Sequence, residues 1–188
     1  MKHSRLFFCL LLVFQSLAVI EVHAEKADSD KPIDIISHHV DVDNVKQVST
    51  YSGEVVLTQG TLIMKGTKLV DVTSPDGWHF ATLYAPPGGL ATMRQKRDGG
   101  PDLWMEGEAA DRITYDQKTQ VATLYSKGKI RRLTGAKQTD ESDGAYLSYN
   151  SQTEIVTGSN NTNGKSVPGG GFVHVTIEPH EHPEQKDK

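Results

Sequence analysis

Two carboxylates two positions apart, Glu106 and Glu108, are the nearest this sequence comes to an acid–base pair. Residues i and i+2 of a strand share a face. A glycan-cleaving pair needs such a shared face and a defined carboxyl separation. A solvated strand face has the same spacing, and surface solvation is the better reading. His38 and His39 are adjacent, so on a strand they point to opposite sides and do not chelate together. His174, His180 and His182 lie near the C-terminus, and a His-x-His pair alone lacks the further ligands of a closed metal site. Arg131 and Arg132 read as an exposed strand pair; holding an anionic headgroup is the rarer role of such a pair. G-x-S-x-G, H-E-x-x-H, Walker and C-x-x-C patterns are missing from the sequence. The chain therefore reads as a non-enzyme, with no metal and no cofactor expected.

These residues sit in a chain that alternates apolar and polar positions almost throughout. Period two predicts strands, and Asp-Asn, Ser-Gly, Gln-Gly, "SPDG", "APPGG" and "RDGGPD" supply the turns between them. Over residues 51–72, "YSGEVVLTQGTLIMKGTKLVDV" reads as strand, turn, strand, turn, strand. Further strands are expected at 78–84, 90–94, 103–106, 112–116, 121–125, 129–133, 145–150 and 154–157. No amphipathic helix pattern covers them. An all-antiparallel chain of this kind must fold its sheet against itself, as a barrel, a sandwich or a folded sheet with an open seam.

Residues 1–24 read as a signal peptide. Lys2 and Arg5 are its basic start, "LFFCLLLVFQSLAVI" its apolar run, and "VHA" its cleavage site. The apolar run is short of the roughly 20 residues a membrane span needs. Cleavage after Ala24 removes Cys9, the one cysteine. The exported chain is then held by packing and backbone hydrogen bonds alone, which suits a bacterial envelope protein. Removing Lys2, Arg5 and Glu21 leaves 18 basic and 23 acidic residues, a net charge of −5. That balance gives no support for nucleic-acid binding.

A weak repeat runs through the chain. "DRITYDQKTQVATLYSKGKI" aligns with "GAYLSYNSQTEIVTGSN", pairing Tyr115 with Tyr149, Asp116 with Asn150 and Val121 with Ile155. "HHVDVDNVKQVSTYSG" fits the same frame through Val42, Asp43 and Val48. Such a repeat predicts stacked hairpins.

Alternation assigns an inner face. It takes Ile33, Ile35, Val40, Val42 and Val48 from the first strands, then Val55, Leu57, Leu62, Met64 and Met93. From the later hairpins come Ile113, Tyr115, Val121, Leu147, Tyr149 and Ile155. Two readings of this face stay open on pattern alone. One is an ordinary dry core, as in a structural β-solenoid or adhesin-like envelope protein. The other is an apolar groove for an acyl chain.

The segment "DKPIDIISHHVDVDNVKQVSTYSGEVVLTQGTLIMKGTKLVDV" and the later "EGEAADRITYDQKTQVATLYSKGKI" resemble the OstA-like family of periplasmic lipopolysaccharide export proteins. The resemblance covers residues 30–158 in strand-and-turn patterns; the loop "APPGGLATMRQKRDGGPDLW" and the C-terminal stretch are this chain's own. It implies an OstA-like domain over 25–158, folded as an antiparallel β-jellyroll open along one side and at both ends, with a polar, largely disordered tail over 159–188. It also implies lipopolysaccharide as ligand, its lipid A acyl chains inside the groove and its sugars outside. Head-to-tail homo-oligomers would then bridge an inner-membrane complex (an LptC-type protein) and an outer-membrane translocon (an LptD-type protein). The implied lipid-facing positions are Ile33 and Ile35 on the first strand, and Met93, Tyr115 and Val121 in the middle.

Overall fold

The computed structural model describes residues 28–179. The leader expected over 1–24, His180 and His182 lie outside the described residues. Twelve strands form one antiparallel sheet. In chain order they are β1 (Ile33–Ile36), β2 (His39–Asp43), β3 (Val48–Gln59), β4 (Leu62–Thr73), β5 (His79–Tyr84) and β6 (Ala91–Lys96). There follow β7 (Leu103–Ala109), β8 (Arg112–Asp116), β9 (Val121–Thr134), β10 (Lys137–Asn150), β11 (Ile155–Ser159) and β12 (His174–Ile177).

Four long strands make the sheet double back on itself. β3, β4, β9 and β10 each run through two layers, pairing with different neighbours in each. The front layer is ordered β1-β3-β4-β6-β7-β9-β10-β12, and the back layer β2-β3-β4-β5-β8-β9-β10-β11. The long strands bend where they cross. β3 takes an extra residue between Ser52 and Val55, and β10 shifts register between Gly144 and Tyr146. Ser126 and Lys127 of β9 adopt left-handed backbone at φ 67° and 51°. In β4 the crossing is at Gly66, where a Cβ would come 2.5 Å from the Tyr84 carbonyl. These bends line up as a crease. On the opposite side, the hairpin turns of the front layer meet those of the back layer along a seam.

The core lies between the layers. Val55, Leu57, Leu62, Met64, Leu69 and Leu83 are buried there, with Met93, Met105, Ile113, Leu124, Ile130, Leu147 and Tyr149. A fully buried aliphatic side chain contributes about 1.5–3 kcal/mol, so this layer of contacts does the work that disulfides do elsewhere.

Two strands differ in extent from expectation. The segments 121–125 and 129–133 are one strand, β9, because pairing persists through the crease. β10 starts at Lys137 rather than near Ala145. Its first half, "KQTDESDGA", has poor β-propensity but pairs with the cationic second half of β9. Strand pairing also continues past 158: β12 pairs with β10 through Asp140 to Asp143.

The hairpin repeat is visible in the register. Asp43 pairs with Val48, Asp116 with Val121, and Asn150 with Ile155. In each case the Asp or Asn Oδ1 accepts an N–H from the turn: Lys46 and Val45, Lys118 and Thr119, and Thr153. Each turn closes on a residue with left-handed backbone: Gln47, Gln120 or Glu154.

Candidate functional site

The inner faces of the two layers form an apolar groove from edge to edge. On the front layer, Ile35, Leu57, Met64 and Met93 follow one another across the strands, continued by Gly107, Ile130, Ser142 and Val175. On the back layer, Val42, Ser49, Asp71, Ala81, Tyr115, Ala122, Tyr149 and Val156 form the equivalent row. Val55, Leu57, Leu62, Met64, Met93, Ile113, Tyr115 and Tyr149 all stand buried on this inner face. Ile33 and Ile35 pack half-buried against the same core. Val40 and Val42 share the face by register but are 47% and 57% exposed, because β2 is the free edge of its layer.

Three expected inner positions are on the other side. Val48, Val121 and Ile155 belong to an outer row with Val72, Phe80, Asp116 and Asn150. Each repeat turn has four residues, so cross-strand partners differ by an odd number. Tyr115 therefore faces the same way as Ala122 and opposite to Val121. The inner residues that alternation missed include Leu69, Leu83, Leu124 and Met105. The Asp-x-x-x-x turn length was the signal that would have found Leu124.

The groove is filled in its middle and open toward both ends. At the N-terminal end a 500 Å³ mouth lies among Ile33, Ile35, Tyr51, Asp71, Trp78 and His79. His79 Nδ1 and Asp71 Oδ2 are 2.7 Å apart on its wall. At the C-terminal end a 260 Å³ mouth lies among Ile130, Arg132, Leu147, Val156, Val173 and Val175. Each end also carries unpaired strand edges. β1 and β2 pair only with β3, and β11 and β12 pair only with β10.

The seam is closed by polar groups. Asp28, 3% exposed, accepts from the Thr61 N–H at 2.7 Å, the Thr61 hydroxyl at 2.5 Å and Gln95 Nε2 at 3.0 Å. Gln59 Nε2 donates to the carbonyls of Ser29 and Lys31, and Gln117 of the back layer donates to Ser29 at 3.5 Å. Residues 28–31 thus strap the two layers together. Further along, Arg97 of the front layer pairs with Glu154 of the back layer at 2.6 Å. Arg132 donates to the Glu154 carbonyl at 3.1 Å.

The chemistry-bearing residues of the sequence are dispersed. Glu106 pairs with Arg94 and Glu108 with Arg131, both on the outer front face. Arg131 and Lys129 reach on to Glu141, and Lys129 to Asp143. The Lys129 ammonium, helped by Arg131, holds the Glu141 carboxyl below its ordinary range. The same hydrogen bond holds the Lys129 ammonium above its own range. Arg131 and Arg132, adjacent on β9, point to opposite faces. His39 reaches Asp41 and His174 reaches Asp143. Among the described residues no group of three metal-ligating side chains is found.

The sequence profile of the LptA/(LptD N-terminal domain) LPS transport proteins matches residues 34–155. This chain belongs to that family. A Haemophilus influenzae relative, "Lipopolysaccharide export system protein LptA", is 27% identical over 84% of this chain and 86% of its own length. The Escherichia coli K12 protein of the same name is 34% identical over 110 residues, 58% of each chain. Among solved structures, LptH of Pseudomonas aeruginosa superposes with a TM-score of 0.69 at 20% identity. The match covers 81% of this chain and 99% of that one. LptH is described as the LptA-homologous periplasmic component of the lipopolysaccharide transport device. The shared fold is the open β-jellyroll, and the groove, crease and seam are how this member of the LPS transport family builds it.

Proposed function

We propose that this chain is a periplasmic lipopolysaccharide-binding protein. It shields lipid A acyl chains between its two layers and forms part of a bridge from the inner to the outer membrane. The observation that carries this reading is the inner face, apolar from β1 and β2 to β11 and β12, combined with unpaired strand edges at both ends. Each CH₂ kept from water is worth about 0.8 kcal/mol, so an acyl chain of a dozen carbons left in water costs roughly 10 kcal/mol. A continuous apolar path makes each hand-over nearly neutral, and no bond need be made or broken.

The free edges supply the joints. An exposed edge invites strand addition, and head-to-tail contacts that do not close build filaments. Identical copies, an LptC-type protein at the inner membrane and an LptD-type protein at the outer membrane are the partners this reading assigns. Export by the leader, with cleavage after Ala24, puts the chain in that compartment.

The filled middle sets a condition. The 260 Å³ mouth is at or below the small end of ordinary ligand pockets, roughly 300–1,000 Å³. A lipid with several acyl chains needs more, so the layers part along the seam on loading, hinged at the crease. The test is mass spectrometry of lipid A retained by protein purified from the periplasm, with light scattering over a wide concentration range. Retained lipid A and a mass that grows with concentration are expected. A lipid-free, strictly monomeric protein matches the dry-core envelope protein instead.

A further inference from the structure

The three repeat turns differ in one telling way. Gln47 and Gln120 close the first two and Glu154 closes the third, all with left-handed backbone at φ 53–57°. The charged residue occurs only where two arginines wait across the seam. Arg97 holds the Glu154 carboxylate and Arg132 its carbonyl. Arg132 lies on the inner face, at the mouth walled by Ile130, Leu147, Val156 and Val175. Its Nε is buried and has no hydrogen-bond partner among the described residues. An orphaned guanidinium donor beside an apolar groove is expensive unless an anion completes it.

Resting on the lipid-carrier reading, we propose that Arg97 and Arg132 form a headgroup site at the seam, which takes a phosphate ester of the lipid whose acyl chains fill the adjacent mouth. Glu154 occupies this site in the empty protein and is exchanged for the phosphate on loading. Exchange, rather than addition, follows from the charges. Asp140 is the cross-strand partner of Arg132, so two arginines face two carboxylates and the empty site is balanced. A phosphate is accommodated when Glu154 leaves. Its departure also breaks the tie between front and back layers, so headgroup capture and seam opening are one event. Guanidinium suits the task because its planar fork meets a phosphate in a bidentate fashion.

The test is binding of bis-phosphorylated lipid A, chemically dephosphorylated lipid A and inorganic phosphate to the full exported chain and its variants. Arg97→Gln and Arg132→Gln should each weaken bis-phosphorylated lipid A about tenfold or more, the loss expected for a charge-assisted contact. Both should hold dephosphorylated lipid A as wild type does. Arg132→Lys should restore part of the loss, and Glu154→Gln should bind the phosphorylated lipid more tightly. Melting curves identify any variant that fails to fold; Arg97 is on a turn, so its arm stands even if Arg132→Gln does not. Equal affinity of wild type and folded arginine variants for bis-phosphorylated lipid A overturns the headgroup site and leaves the groove reading intact. Failure of wild type to bind either lipid A overturns the groove reading itself. Arginine-dependent binding of inorganic phosphate as tight as that of the phosphorylated lipid makes this a free-phosphate site and overturns the lipid assignment.

Discussion

Tyr115 of β8 and Ala122 of β9 are cross-strand partners on the inner face, and the single step from Ala122 to Val121 leads to the outer face. A photo-crosslinking residue at Tyr115 or Ala122 should capture lipopolysaccharide in living cells. The same residue at Val121, Asp116 or Val48 should not. Capture at Val121 equal to that at Tyr115 would mean the lipid does not run between the layers.

Ile113 is fully buried on that inner face. Ile113→Ala should destabilise by about 2–5 kcal/mol, the range for an aliphatic truncation that leaves a cavity. Val121→Ala, on the outer face, should cost under about 1.5 kcal/mol. Urea midpoints of the two variants should therefore separate widely. Ile113→Asp should not fold, because its charge has no partner between the layers.

Acid should loosen the outer ion ladder before it reaches the core. The Glu141 carboxyl is held below its ordinary 4.5, first by Lys129. A depressed folded pKa means the contribution is complete above about pH 4.5 and is lost as pH falls from there through the folded value. Glu141→Gln should lower stability at neutral pH and flatten the fall below pH 4.5. Chemical denaturation at a series of pH values checks both; an unchanged acid slope in the variant would remove Glu141 from the account.

Gly60 has φ +59°, and a Cβ there would run into the Asp28 carboxylate. Gly60→Ala should therefore unseat the strap at residues 28–31 and add backbone strain of about 1–3 kcal/mol. Hydrogen exchange at Ser29 to Lys31 and at Thr61 should rise, while exchange in β8 and β9 stays low. Asp28→Asn, which keeps shape and removes charge, should show a milder form of the same change.

Much of this architecture was legible in the sequence. Alternation placed most strands, and the hairpin repeat was real down to its register. Along a straight strand, alternation also chose faces correctly, as at Val55, Leu57, Leu62 and Met64. It failed across turns. Alternation has no memory of how many residues a loop spends, so Val48, Val121 and Ile155 were carried to the wrong side by four-residue turns. The seam was not legible at all. Asp28 reads as a mobile polar end, and Arg97 and Glu154 read as solvated turn residues. Only the folding of β6 over β11 brings partners 57 positions apart to 2.6 Å.

The two free ends also make the molecule a ruler. Each layer counts eight strands, and neighbouring strands lie about 4.8 Å apart. Copies joined edge to edge therefore repeat about every 38 Å, eight strand spacings, whatever the lipid inside. A gap between two membranes is then filled in whole increments. Any remainder is absorbed by the sheet's twist, which changes the pitch of the stack without changing the number of its joints.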